Sequence, residues 1–157
     1  MGLVLTEAAG RGIGTAALYA GLVAGLEVPF MLLLPLVLPH FRRTHLILTG
    51  TMIYTLQLIG IPILAASPLL WLLLIPGAVG GAVTLTLPIA YLQDALGHRP
   101  GTGAALMALM KVAGDGLAAA CFALGTALSG YQLAAVLSAV VTVLGALALV
   151  VADRNQT

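Results

Sequence analysis

Three ionisable side chains interrupt otherwise apolar stretches of this sequence: Glu27, Lys111 and Asp115. A carboxylate can take up and release a proton, and an ammonium group can donate hydrogen bonds to a polar ligand. In hydrocarbon each such charge costs roughly 2.5–3.5 kcal/mol on insertion scales unless it is paired or faces a water-filled cavity. The three residues therefore predict a polar path, for a solute or for a proton, through an apolar structure.

The spacing of Lys111 and Asp115 allows a second interpretation. Residues four apart lie on the same face of a helix, so this pair could cancel its own cost and only fasten its helix to a neighbour. Glu27 needs no part in such a pair and still lies within an apolar stretch, which favours the polar path. Both interpretations stay open at the level of sequence.

The elements that hold these residues must lie in lipid. Hydrophobic residues make up 61% of the chain and charged residues only 7%, against roughly 25% charged residues in a typical soluble domain. Backbone polar groups in hydrocarbon must pair within the protein, which favours helices. We therefore expect an all-α, polytopic membrane bundle in contact with the lipid bilayer. The scattered charges indicate no nucleic-acid partner, and a single cysteine excludes an intrachain disulfide.

Five stretches are long enough to cross a bilayer, which takes about 20 mainly apolar residues. They predict an extracytoplasmic segment over 1–13, a five-helix bundle over 14–152 and a cytoplasmic tail over 153–157. The predicted helices cover residues 14–39, 45–66, 68–93, 102–128 and 131–152. At a rise of 1.5 Å per residue, the three ionisable side chains lie roughly 14–20 Å from one face, near the bilayer centre.

The arginines predict the orientation of the bundle. Arg42, Arg43, Arg99 and Arg154 fall on one side of the predicted helices, and only Arg11 falls on the other. An excess of basic residues marks the cytoplasmic side. We therefore expect an extracytoplasmic N-terminus and a cytoplasmic C-terminus.

Asp94 ends the third predicted helix on the side that carries the arginines. A salt bridge from Asp94 to Arg42 or Arg43 would fasten the loop after the first helix to the end of the third, as a cytoplasmic latch. The alternative is a solvated loop carboxylate with no partner.

Small residues recur at helical spacing in the first and third predicted helices. Gly21 and Gly25 form a GxxxG pair, and Gly80 and Gly81 follow each other in the third helix. Such residues let helix backbones approach closely in a membrane. All four glycines are therefore predicted to serve helix packing.

The order of several motifs resembles the sugar efflux transporters of the major facilitator superfamily. The residues concerned are Ala24 to Pro29 in a helix, a basic loop after it, Tyr91-Leu92-Gln93-Asp94 closing a later helix, and a Gly-rich stretch from Gly101 that leads to Lys111. The resemblance implies helices eight to twelve of a twelve-helix plan. That is a C-terminal half without its first helix.

The resemblance implies that the protein exports sugars or similar small solutes across a bacterial inner membrane. The export would be coupled to protons or driven by another gradient. In such transporters the substrate lies at mid-membrane between two halves. A chain with part of one half would need the missing half, or a second copy of itself, as a partner. The alternative is a non-transporting membrane subunit or a truncated remnant that pairs with another chain.

No pattern predicts an enzyme, a cofactor or a metal site. Asp94 and Asp115 differ in depth and miss the motifs of intramembrane aspartyl proteases. His40, His45 and His98 match no strong zinc spacing. We therefore expect a transport or assembly function rather than catalysis.

Overall fold

The structure is a computed structural model that describes residues 2–96 and 100–154. Within these ranges five long α-helices account for most of the chain. They are α1 (Ile13–Val37), α2 (Arg43–Leu64), α3 (Leu74–Ala95), α4 (Pro100–Ser129) and α5 (Tyr131–Arg154). Three short helical turns flank them, a π-helix at Val4–Ala8 and 3-10 turns at Leu38–His40 and Pro68–Leu73.

The predicted fold class is confirmed. Five helices in the described ranges are long and apolar enough to cross a membrane, which indicates a multi-pass membrane protein. Their bounds differ from the predicted ones by a few residues, and the third crossing begins as the 3-10 turn at Pro68–Leu73. The predicted loop residues His98 and Arg99, and residues 155–157 of the tail, lie outside the described residues.

Local chemistry explains two of the turns. The Ser67 hydroxyl accepts a hydrogen bond from the Leu69 N–H at 3.2 Å, and Pro68 follows at a position where a helix needs no N–H donor. Gly130 joins α4 to α5 with a φ of 84°, a left-handed conformation that a side chain would strain. The chain therefore reverses over a single residue between α4 and α5.

The helices do not pack in chain order. α3 lies between α1 and α2, α2 also packs against α5, and α5 carries α4 on its other side. The spatial order is therefore α1, α3, α2, α5, α4. This order gives α2 and α3 two extensively packed neighbours each and leaves α1 and α4 at opposite ends of the bundle.

The N-terminal segment is part of the packed structure. Val4 and Leu5 are buried with Tyr19 of α1 and Leu70 of the 3-10 turn in one hydrophobic cluster. A second cluster, around Leu34, Ile47, Val83 and Leu87, lies toward the other membrane face. Between these two apolar clusters lies the layer that contains Glu27.

Candidate functional site

Three buried glycines of α3 create the space for the candidate site. A β-carbon at Gly77 would collide with the side chain of Gln57, and one at Gly81 would collide with the Glu27 carboxylate. A β-carbon at Gly80 would lie 2.6 Å from the backbone nitrogen of Tyr54. Ordinary carbon contacts lie at about 3.5–4.0 Å. Both neighbouring helices therefore approach α3 only because these side chains are missing.

Glu27 is held at mid-depth against this glycine stripe. It lies roughly 15 Å from Val37 along α1 at 1.5 Å per residue, and its side chain is half-buried. Its carboxylate contacts Gly81 and lies within electrostatic range of the Tyr54 hydroxyl. Neither of the two ion pairs that the described residues form includes Glu27. The carboxylate is thus not neutralised by a fixed cation within that part of the chain.

A buried hydrogen bond continues this polar region toward the N-terminal end of α1. Gln57 donates from Nε2 to the Tyr19 hydroxyl oxygen at 3.3 Å, and both residues are buried. Glu27, Tyr54 and Gln57 form what we call the mid-span polar layer, and Tyr19 of the first hydrophobic cluster bounds it through the hydrogen bond from Gln57. Its groups can donate and accept hydrogen bonds, and its one carboxylate can also carry a proton.

A cavity of about 240 Å³ reaches the same layer from the opposite side of α2. Tyr54 and Gln57 line it together with Tyr131 and Ser138 of α5. Ligand cavities usually measure about 300–1,000 Å³ and combine apolar walls with a few polar groups. The cavity therefore has the apolar walls and the few polar groups of a ligand site, at slightly below the usual size.

Lys111 and Asp115 form the ion pair that their spacing allows, but away from Glu27. The Lys111 ammonium lies 2.9 Å from the Asp115 carboxylate, and their side chains are 75% and 70% exposed. They belong to α4, at the end of the bundle opposite α1. The structure therefore does not bring Glu27 and the Lys111–Asp115 pair together in one lining.

Two of the three predicted latch residues, Arg43 and Asp94, meet at the face that carries the basic loop. Arg43, the first residue of α2, forms an ion pair with Asp94 near the end of α3. Arg42 is exposed and stands just before α2. Beside this pair Asp153 of α5 accepts hydrogen bonds from the hydroxyls of Thr44 and Tyr91, at 3.1 and 3.2 Å. α2, α3 and α5 are therefore joined by polar contacts at this face.

The other face has its own polar contacts. The Arg11 guanidinium donates to the carbonyl oxygens of Ala65 and Ser67, at 2.5 and 2.8 Å. The Tyr131 hydroxyl donates to the Glu7 carboxylate at 2.7 Å. The N-terminal segment is thus tied to the α2–α3 turn and to the start of α5.

The predicted packing glycines separate into two groups. Gly80 and Gly81 are buried against Tyr54 and Glu27. Gly21 and Gly25 lie on an exposed face of α1, where a β-carbon would meet nothing within 4 Å. This GxxxG pair meets no other helix among the described residues, because α1 turns a different face toward α3, and its role in packing stays a prediction.

Tyr19, Thr44 and Asp153 are among the residues of these polar contacts that sequence reasoning missed. A signal was present for Tyr19, which lies two four-residue steps before Glu27 and so shares its face of α1. Tyr54 and Gln57 likewise share a face of α2 at a spacing of three. Asp153 had no such signal, because its partners are on other helices.

Within the described ranges no three His, Cys, Asp or Glu side chains come close enough to hold a metal ion.

No known protein family, curated protein or solved structure matches this chain.

Proposed function

We propose that this bundle is part of a secondary transporter that exports sugars or similar small solutes and is driven by protons. The family resemblance is the source of the substrate class and of the direction. The observation that carries the proposal is the position of Glu27, a mid-depth carboxylate without a fixed cation among the described residues. Ionisable side chains inside membrane spans are costly and commonly mark ion or substrate paths.

The mid-span polar layer supplies the groups that such a cycle needs. Glu27 would be protonated when its surroundings are closed to water, since a neutral carboxyl is far cheaper in hydrocarbon than a carboxylate. It would release the proton when water reaches the layer. Tyr54 and Gln57, which also line the cavity of about 240 Å³, would hold the hydroxyl groups of a solute.

The test is solute movement in membrane vesicles from cells that produce the full chain together with its native partner chains, with a labelled sugar inside and an imposed proton gradient. We expect gradient-dependent export that Glu27→Gln abolishes, because the amide keeps the shape but cannot carry a proton. Glu7→Gln is the matched control, since Glu7 is exposed at the membrane face and bonds only to Tyr131 among the described side chains. Equal export by the two variants would contradict the proposed role of Glu27.

The proposed location is a bacterial inner membrane, with the N-terminus outside and the C-terminus in the cytoplasm. The exposed arginines before and at the start of α2 support this orientation. In a Cys121→Ser background, a cysteine at Phe41 should react with a membrane-impermeant thiol reagent only from the inside. A cysteine at Ala66 should react only from the outside. The reverse labelling pattern would overturn the orientation.

The exposed charges of α4 favour the alternative function, a non-transporting membrane subunit. Lys111 and Asp115 are largely exposed, and α4 has only α5 as an extensive neighbour. A pair of charges at mid-depth is poorly placed against lipid, so another chain, or a second copy, would cover it. Replacing the pair by Lys111→Met with Asp115→Leu should then reduce the size of the detergent-solubilised complex. An unchanged size would count against this second function.

A further inference from the structure

An apolar groove of about 280 Å³ lies between α1, α2 and α3, apart from the mid-span polar layer. Phe30, Leu33 and Val37 of α1 line one wall, and Leu46, Thr49 and Ile53 of α2 line another. Leu33, Val37 and Thr49 are also exposed, so the groove opens on the outside of the bundle. In a membrane that opening faces the acyl chains of lipid.

The groove and the basic position below it together span about one lipid leaflet. The lining residues of α2 run from Leu46 to Ile53, a rise of about 10 Å, and Arg42 lies about 6 Å before Leu46 along the chain. Half of a hydrocarbon core that is about 30 Å thick is about 15 Å. The distance from Arg42 to the inner end of the groove therefore matches the distance from the headgroup level to the region of the bilayer centre.

The mouth of the groove is basic. Arg42 directly precedes α2, and Arg43 is the first residue of the helix, one turn before Leu46. Arg43 is paired with Asp94, whereas Arg42 is exposed and takes part in neither ion pair of the described residues. An arginine guanidinium matches the geometry of a phosphate. The charge of Arg42, which pairs with none of the residues that the structure describes, thus lies where a lipid headgroup would be.

We infer that this groove binds an anionic phospholipid, with one acyl chain between α1 and α2 and the phosphate at Arg42. Three observations agree on this occupant. The groove walls are apolar, the distance from Arg42 to the inner end of the groove is about one leaflet, and the charge of Arg42 lies at the headgroup end. A helix of a partner protein would need no phosphate-binding group at that end. The inference is independent of transport by the mid-span polar layer.

The experiment measures thermal stability in detergent with added lipid. A fluorogenic maleimide reports unfolding through Cys121, the only cysteine of the chain and a buried one. Phosphatidylglycerol is titrated against phosphatidylcholine with the same acyl chains, and glycerol phosphate serves as a headgroup without chains. We expect half-maximal stabilisation at about fivefold lower phosphatidylglycerol than phosphatidylcholine, the factor that about 1 kcal/mol per basic residue gives. Glycerol phosphate should not stabilise.

Two pairs of variants locate the effect. Arg42→Gln should remove the roughly fivefold preference, whereas Arg42→Lys should keep it. Thr49→Phe should fill the groove and weaken stabilisation by both lipids. Leu56→Phe adds an aromatic ring to another exposed position of the same helix and should leave both titrations unchanged.

Several results would overturn the inference. Equal affinity for the two lipids would show that Arg42 does not select an anionic headgroup. Stabilisation by glycerol phosphate would show a phosphate site that needs no acyl chain. Indistinguishable titrations for Thr49→Phe and Leu56→Phe would show that lipid acts on the surface in general and not in this groove.

Discussion

A single methyl group added at Gly80 should separate α3 from α2. The new β-carbon of Gly80→Ala would lie 2.6 Å from the nitrogen and 2.7 Å from the α-carbon of Tyr54. Both contacts involve backbone atoms, which cannot rotate away as a side-chain end can. The helices must therefore move apart by roughly 1 Å to restore contacts of about 3.5–4.0 Å.

The cost follows from this movement. A radial gap of about 0.5–1 Å forfeits a quarter to a half of the attraction between the atoms that face it. Overpacking of a well-packed interior typically costs about 1–3 kcal/mol. For chains of about 150–250 residues, 1 kcal/mol lowers Tm by about 2–4 °C. We therefore expect Gly80→Ala to lower Tm by about 2–12 °C. Tyr54 should also move away from Glu27, so proton-driven export should fall more than Tm alone implies.

The assay is thermal unfolding in detergent, read through the reaction of buried Cys121 with a fluorogenic maleimide. Gly25→Ala is the matched control, because a β-carbon at Gly25 meets nothing within 4 Å. Alanine favours a helix over glycine by up to about 1 kcal/mol, so Gly25→Ala should leave Tm unchanged or raise it slightly. The same fall in Tm for both variants would refute the assigned packing of α2 against α3.

Two further predictions concern the end of α4 and the basic face. Gly125→Ala would push a β-carbon into the backbone of Ala134, so α4 should loosen from α5. Cys121 should then react with thiol reagents below the unfolding temperature. Unchanged reactivity of Cys121 would contradict the contact between Gly125 and Ala134. Arg43→Asp and Asp94→Arg should each reduce export, and the double exchange should restore it. Each single change should lower the free energy of unfolding by less than about 1 kcal/mol, because the pair is exposed. If the double exchange does not restore export, the alternative of Asp94 as a solvated carboxylate is favoured.

The two groups of mid-depth charges differ in what surrounds them. Glu27 is held by protein, with Gly81 on one side and Tyr54 nearby. Lys111 and Asp115 neutralise each other locally and face outward. A proton carrier must alternate between two charge states, which a fixed salt bridge opposes. The local pair is therefore better suited to holding a partner chain, and Glu27 to carrying a proton.

The sequence alone determined the class of the protein and the course of its helices. Runs of about 20 apolar residues have few other stable solutions than membrane-spanning helices, because backbone polar groups must pair within hydrocarbon. The pairing of Lys111 with Asp115 was also predictable, since a spacing of four fixes their geometry within one helix.

Only the tertiary structure decided which helix faces meet. In lipid there is no hydrophobic drive between helices, so apolar pattern does not mark the inward face. Gly21 and Gly25 therefore look as suited to packing as Gly80 and Gly81, yet only the α3 pair is buried. For the same reason the contact of Glu27 with α3 and its distance from Lys111 depend on the order α1, α3, α2, α5, α4, which no local pattern encodes.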